Sequence, residues 1–321
     1  PGRVPRPAAG EPRFRRAMIG LPAPPSYFPP ADGRYVVAPG IVKLGRDCGG
    51  GKLDQQVFQF DHHFSTYRQA KLAALTERAG RYVCRHDLTD AVERAASGFI
   101  CERLLTEHPQ WFARRDGGLD CRLTGEFLPA EAISLDTLSL QIQEDLAIMS
   151  TAGRRHWVSY LHLCFPNRWA ATDKIGGSFA RIHEPVAGME QMNHHGDRFA
   201  AMMVGAGEPL VRFAWGITFD DRLNQHPQTP RKPFDPGNPA AWLRVERQTI
   251  CGLPAVGAAI FTVRTYLYDV RQLPAERRLR LAEAVETMPA ESARYKGLAD
   301  CREALVAWLR SPTSAHRWLS R

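Results

Sequence analysis

Apolar positions repeat along this chain at two different periods. Between residues 66 and 108 the spacing is helical. Residues 66–78 read as one helix and 87–108 as a longer one, with Val92, Ala95, Ala96, Phe99, Ile100 and Leu104 on one face and Pro109 ending it. Leu135, Leu138, Ile142, Leu146 and Met149 keep that spacing, so 135–149 is also expected to be helical. From Trp157 the period shortens. Residues 157–165 are aromatic and β-rich, and in 210–220 Val211, Phe213, Trp215, Ile217 and Phe219 face away from Arg212, Ala214 and Thr218. Residues 242–250 and 258–268 form two more strands, and the turn-rich link 251–257, with Pro254, fits a hairpin. Residues 275–310 return to amphipathic helix, interrupted near Pro289. Neighbouring strands with short links pair antiparallel, so the expected fold class is α+β, helices packed on a mostly antiparallel sheet.

Composition narrows the class. The 321 residues are 44% hydrophobic and 24% charged, enough to bury a sizeable core. No run of about 18 uncharged apolar residues is present, so no membrane span is expected. The net charge is +8, and part of the surplus sits in the first sixteen residues, where Arg3, Arg6, Arg13, Arg15 and Arg16 face only Glu11. Residues 1–50 are rich in Pro and Gly and are expected to be a mobile, then extended, N-terminal extension. Residues 51–310 are expected to form a single domain and 311–321 a tail. The other basic residues are scattered and carry no nucleic-acid motif. Cys48, Cys84, Cys101, Cys121, Cys164, Cys251 and Cys301 are widely spaced with no CxxC, which argues against a disulfide framework or metal cluster and for thiols in a reducing cytoplasm. Cys164 ends a strand close to the candidate site.

The chemistry-bearing residues lie in the second half. Strand alternation puts Glu246 and Gln248 on one face and Arg247 and Thr249 on the other, with Thr262, Arg264 and Tyr266 sharing a face of the next strand. An inward charge is costly unless paired. Either an internal Glu–Arg ion pair forms, or the carboxylate faces a cavity and binds an amine while arginines hold anionic groups. The pairs His62–His63 and His194–His195 point to opposite sides and make poor chelates. Gly49–Gly50–Gly51 lacks the strand-to-helix context of a nucleotide loop. His183 stands apart: it lies between Ile182 and a helix-stopping Pro185, with Lys174 nine positions upstream. That arrangement suits a single axial ligand to a planar, anionic cofactor.

Several segments together resemble a known family. They are Glu144-Asp145-Leu146, Phe165-Pro166-x-x-Trp169, Lys174-x-Gly176, Ile182-His183-x-Pro185-Val186, Arg212-x-x-Trp215, 243–249, Leu253-Pro254 and 260–266, in this order. The set resembles the haem-dependent oxidative N-demethylases over roughly residues 55–280. The resemblance implies a PAS-like α+β fold that binds haem b and uses dioxygen as a monooxygenase to demethylate a small secondary amine. Formaldehyde is released, with a folate-binding subunit as its possible recipient. Electrons are implied to come from NADPH through a flavin and iron–sulfur reductase subunit or a ferredoxin-type donor. By the same resemblance His183 is the axial ligand of the iron, and Lys174, Arg212, Arg247, Arg264 and Trp215 are cofactor-binding candidates. Glu246 and Thr249 are the catalytic candidates, and Glu246 and Arg247 exchange roles according to which strand face meets the haem. Ala214 departs from the family pattern, which has Asn before this Trp, and this bears on the choice of substrate. Two alternative readings are a PAS-type haem sensor and a non-catalytic haem-binding subunit of an amine-oxidising complex.

Overall fold

In a computed structural model the described residues are 20–38, 40–47 and 54–311. The N-terminal basic segment, Cys48, the glycine run at 49–51 and residues 312–321 lie outside them.

The organising element is a seven-stranded sheet, antiparallel throughout, in the order β1-β8-β9-β10-β6-β7-β2. Its strands are β1 (Val42–Lys43), β2 (Val83–Arg85), β6 (Asp145–Ala152), β7 (Arg155–His162), β8 (Leu210–Thr218), β9 (Trp242–Leu253) and β10 (Ala258–Asp269). A second sheet joins β3 (Phe112–Arg115), β4 (Gly118–Cys121) and β5 (Glu126–Leu128). The helices are α1 (Phe64–Tyr82), α2 (Asp90–Glu107), α3 (Leu135–Ser139), α4 (Ala171–Lys174), α5 (Phe179–His183), α6 (Glu190–His194), α7 (Gly196–Val204), α8 (Ala275–Glu286), α9 (Ala290–Tyr295) and α10 (Arg302–Arg310). The architecture is α+β, as the two hydrophobic periods predict. Among the described residues no helix is long and apolar enough to cross a membrane.

The β9–β10 hairpin fixes the register of the sheet. Arg247 pairs with Arg264, Glu246 with Thr265 and Thr249 with Thr262, so directly opposed side chains share a face. Its link closes through Gly257, whose φ of 60° suits a residue without a side chain.

One face of the sheet carries Leu146, Ile148, Tyr160, Cys251 and Ile260, covered by α2, α3 and the small sheet. On the same face Ile217, Leu243, Val245 and Tyr266 pack under α8 and α10. A fully buried Ile260 or Leu243 stabilises by roughly 1.5–3 kcal/mol. Tyr27 and Phe28, from the extended N-terminal stretch, complete that layer. The other face carries Ala147, Met149, Leu161, Ile250, Ala259 and Phe261, covered by α4 to α7.

One expectation is corrected. Residues 135–149 are not a single helix: α3 ends at Ser139, and β6 begins at Asp145. The cause is Lys71, whose fully buried ammonium donates to the carbonyls of Ser139, Ile142 and Glu144. These acceptors are thereby satisfied without an α-helical ladder. Gln143 and Glu144 turn inward to Asp61 and to the backbone N–H of Gln59.

Candidate functional site

The segment 174–186 docks against β7 through backbone hydrogen bonds. Gly176 N donates to Val158 O at 2.8 Å, and Val158 N donates to Gly177 O at 3.0 Å. Gly176 has a φ of 71°, and a Cβ on Gly177 would lie 2.9 Å from Lys174 O and 3.0 Å from Ile182. The double glycine is therefore required by this turn. Ser178 then caps α5, its hydroxyl accepting from Arg181 N, and Pro185 follows the end of the helix.

His183 closes α5. Its Nδ1 lies 2.8 Å from Phe179 O, one turn earlier, and its ring packs 4.3 Å from that of Phe179. A carbonyl only accepts, so Nδ1 carries the proton and Nε2 keeps its lone pair. Nε2 makes no hydrogen bond among the described residues and is not sealed in the protein. Burial holds the imidazole pKa down to about 4, with the Arg212 and Lys174 cations adding to the shift. A half-buried, neutral histidine with a fixed tautomer and a free Nε2 is a ready single-metal ligand.

Two cations stand near it. Lys174 donates to Ile182 O at the end of α5, and burial lowers its pKa. It keeps further N–H donors for another acceptor. Arg212, on β8, has a buried Nε without a partner among the described residues, and burial lowers its pKa while Glu246 acts against the shift. Glu246 lies opposite Ala214 on the same sheet face and accepts from Gln248 Nε2 at 3.1 Å and Arg244 Nε at 3.4 Å. Around it Ala214, Phe261 and Val263 are only half-buried although their strands are central in the sheet. This part of the floor is incompletely covered, apolar, and flanked by His183, Arg212 and Glu246.

The remaining candidates lie on the other face. Arg247 is fully buried and holds Asp54 through two bonds, Nε–Oδ2 at 2.6 Å and a second at 2.7 Å, and it also donates to the carbonyls of Val57 and Gln56. Burial works against its charge, and Asp54 more than offsets this, raising its pKa. Arg264, fully buried as well, pairs with Asp61 at 2.6 Å and lies over the rings of Tyr67 (3.9 Å) and Tyr266 (4.7 Å). Thr249 shares a 2.6 Å hydroxyl bond with Thr262. Trp215 packs edge-on against Tyr35. Glu246, Arg212, Lys174 and His183 are therefore brought to one face, whereas Arg247, Arg264, Thr249 and Trp215 are not and serve the opposite layer. The internal ion pairs use Asp54 and Asp61, which sequence reasoning missed because strand periodicity cannot show which distant loop supplies a counter-ion.

The rings of each histidine pair pack against each other, at 4.2 Å (His62–His63) and 5.1 Å (His194–His195). Among the described residues, Asp145, His162 and Cys164 bring three possible ligand atoms within 4.8 Å of one another. Asp145 already accepts the backbone N–H groups of Cys164 (2.9 Å) and Phe165 (2.7 Å), and the buried Lys71 cation acts on all three residues. That cluster is wired to hold the end of β7, not to receive a cation.

A second basic group lies beyond Glu246 on its own face. The segment Phe165–Trp169 runs beside 220–232, with Arg168 N donating to Gln225 O at 2.9 Å and Gln225 N to Pro166 O at 3.0 Å. A cavity of about 70 Å³ opens there, lined by Arg168, Arg231, Lys232, Arg244 and Lys296 among others. Lys296 donates to Trp215 O at 2.7 Å, and burial lowers its pKa to about 8 against the pull of Glu246. Sequence reasoning missed this cluster because its members are scattered from 168 to 296.

Residues 51–306 match the family described as haem-dependent oxidative N-demethylase, alpha subunit-like. The family's name points to haem, to an oxidative enzyme and to a complex of several subunits. A match over that share of the chain settles membership: this protein belongs to the haem-dependent oxidative N-demethylase, alpha subunit-like family.

Proposed function

We propose that this protein binds haem b on the half-covered sheet face and oxidatively N-demethylates a small secondary amine with dioxygen, taking electrons from a reductase partner. The observation that carries the reading is His183, with its tautomer fixed by Phe179 O and Nε2 left free. The residues present fit the group. His183 would supply a nitrogen ligand to its iron, Arg212, whose Nε has no partner among the described residues, and the spare donors of Lys174 would hold its propionates, and Ala214, Phe261 and Val263 would give its ring apolar surface. Haem, when bound, supplies the binding and reductive activation of dioxygen.

The chain's own residues do the rest. Glu246 receives the N–H of the amine and is the group placed to take its proton, while Gln248 and Arg244 fix the carboxylate's orientation. In the balanced reaction one oxygen atom leaves in formaldehyde with the methyl carbon and the other leaves in water, with two electrons and two protons supplied. Arg247, Arg264, Thr249 and Trp215 have scaffold roles in this reading. The PAS-like description and a folate-binding partner that collects formaldehyde belong to the same proposal. Six free cysteines among the described residues suit a reducing compartment, and we place the protein in the cytoplasm.

The test is haem-loaded protein with a chemical or enzymatic reductant, dioxygen and a panel of secondary amines. Formaldehyde should appear in step with the primary amine. Glu246→Gln should keep its haem spectrum and lose about 10²–10⁴-fold in turnover, the usual range for a removed acid–base group. Absence of formaldehyde from every amine tried, with haem bound and reduced, would reject the reading in favour of a sensor or non-catalytic subunit.

A further inference from the structure

The basic pocket beyond Glu246 holds more positive charge than its own structure neutralises. Arg168 spends its guanidinium on the carbonyl of Thr229 (2.8 Å) and the amide oxygen of Gln225 (2.6 Å), and Lys296 donates to a carbonyl. Arg231 and Lys232, both exposed, make no ion pair among the described residues. Arg244 alone meets a carboxylate, Glu246, at 3.4 Å. Asp220, close by, is already held by Arg222 at 2.9 Å and Gln225 at 2.6 Å. Burial and the neighbouring Arg231 lower the Arg168 pKa to about 10.

The pocket is also shaped for a small anion. Gly297, with a φ of 70°, has the Arg231 guanidinium lying where a side chain would stand, which brings Arg231 up beside Lys296. A volume of about 70 Å³ has room for a carboxylate group. The pocket neighbours the Glu246 floor through Gly216 and Arg244, which line it from the same sheet face. Gly216 lines it, a Cβ there would meet nothing within 4 Å, and Ala214 opposite Glu246 is two residues away on the same face. Two residues along a strand span roughly 7 Å.

We propose that this pocket is the carboxylate subsite of a substrate carrying both a secondary amine and an acid, an N-methylated amino acid, whose amine end meets Glu246 and whose acid end meets Arg168, Arg231, Lys232 and Lys296. The inference rests on the demethylation reading and names its substrate class. A charge-assisted contact at each end explains a carboxylate and a cation cluster set side by side on one open floor.

The experiment is calorimetric titration of haem-loaded protein with N-methylglycine, 4-(methylamino)butanoate and dimethylamine, at low and moderate salt. At least one N-methyl amino acid should bind tenfold or more tighter than dimethylamine. Arg231→Gln with Lys232→Gln should remove that advantage while haem content and dimethylamine affinity stay unchanged. Equal affinity of the acids and dimethylamine, with formaldehyde still released, would overturn the subsite and leave the demethylation reading standing. Loss of haem from the double variant would also overturn it, by assigning the pocket to a haem propionate. No binding of any amine by the haem-loaded protein would reject the demethylation reading itself, and the subsite with it.

Discussion

The two faces of the large sheet use the same residue types to opposite ends. On one face Arg247 and Arg264 are fully buried and each meets an aspartate, Asp54 or Asp61, with rings or carbonyls taking further contacts. On the other face Arg212 makes no ion pair among the described residues, and Arg168, Arg231, Lys232 and Lys296 surround space. Paired charge inside a protein is scaffold, because desolvation is offset internally. Cations left uncompensated beside an open floor cost stability and have that free energy available for a ligand. A strongly shifted group is therefore weak evidence of function by itself, and what discriminates the faces is whether the partner is already present.

Breaking the paired face should cost most. Asp54→Ala leaves Arg247 buried and unpaired and should destabilise the fold by about 3–5 kcal/mol in denaturant titrations. A loss under about 1 kcal/mol would mean that the pair is not structural.

Acid should expose the buried neutral groups next. His108 and His162 are each 1% exposed, and burial pushes their pKa values down to about 4 and about 3. Both bind a proton more readily when unfolded, so their stabilisation is complete above about pH 6.5 and is lost as pH falls towards 4 and 3, by about 1.4 kcal/mol per pH unit each. Asp145, which burial pushes up to about 6, has the opposite sign and offsets one of them between pH 6 and about 4. His183, also held down to about 4, acts in the same direction as the two histidines, so haem-free protein should accordingly lose stability as pH falls from 6.5 to 4 in urea melts at fixed ionic strength. Flat stability from pH 6.5 to 4 would contradict the buried neutral assignment.

The open face should respond in ligand and hardly in fold. Arg212→Gln removes a half-buried cation without a bonded partner at Nε. It should change folding stability by less than about 1 kcal/mol and weaken haem retention by roughly tenfold, read by haem transfer to a competing apo-globin. A large stability loss with unchanged haem affinity would move Arg212 to the scaffold side of the comparison.

Periodicity made much of this legible. The alternation in 210–220 and the β9–β10 hairpin showed that Glu246 and Arg247 point to opposite faces. It could not show which face is open, because that depends on Asp54 and Asp61, which lie 193 and 203 residues away from the arginines they hold. The misread helix at 135–149 has a similar cause, since its spacing was apolar and helical but the carbonyls of Ser139 and Ile142 are taken by Lys71 of α1. Local pattern reports the face a residue points to, and a buried partner from elsewhere in the chain decides what the face does.

The central claim is that His183 Nε2 is the nitrogen offered to haem. The most direct measurement is the optical spectrum of haem-reconstituted protein, oxidised and dithionite-reduced, for the parent chain and for His183→Ala with and without added imidazole. The parent should show a Soret band and a histidine-ligated ferrous spectrum. The variant should lose haem or shift its spectrum, and imidazole should restore the parent bands. An unchanged spectrum and haem affinity in His183→Ala would contradict the account.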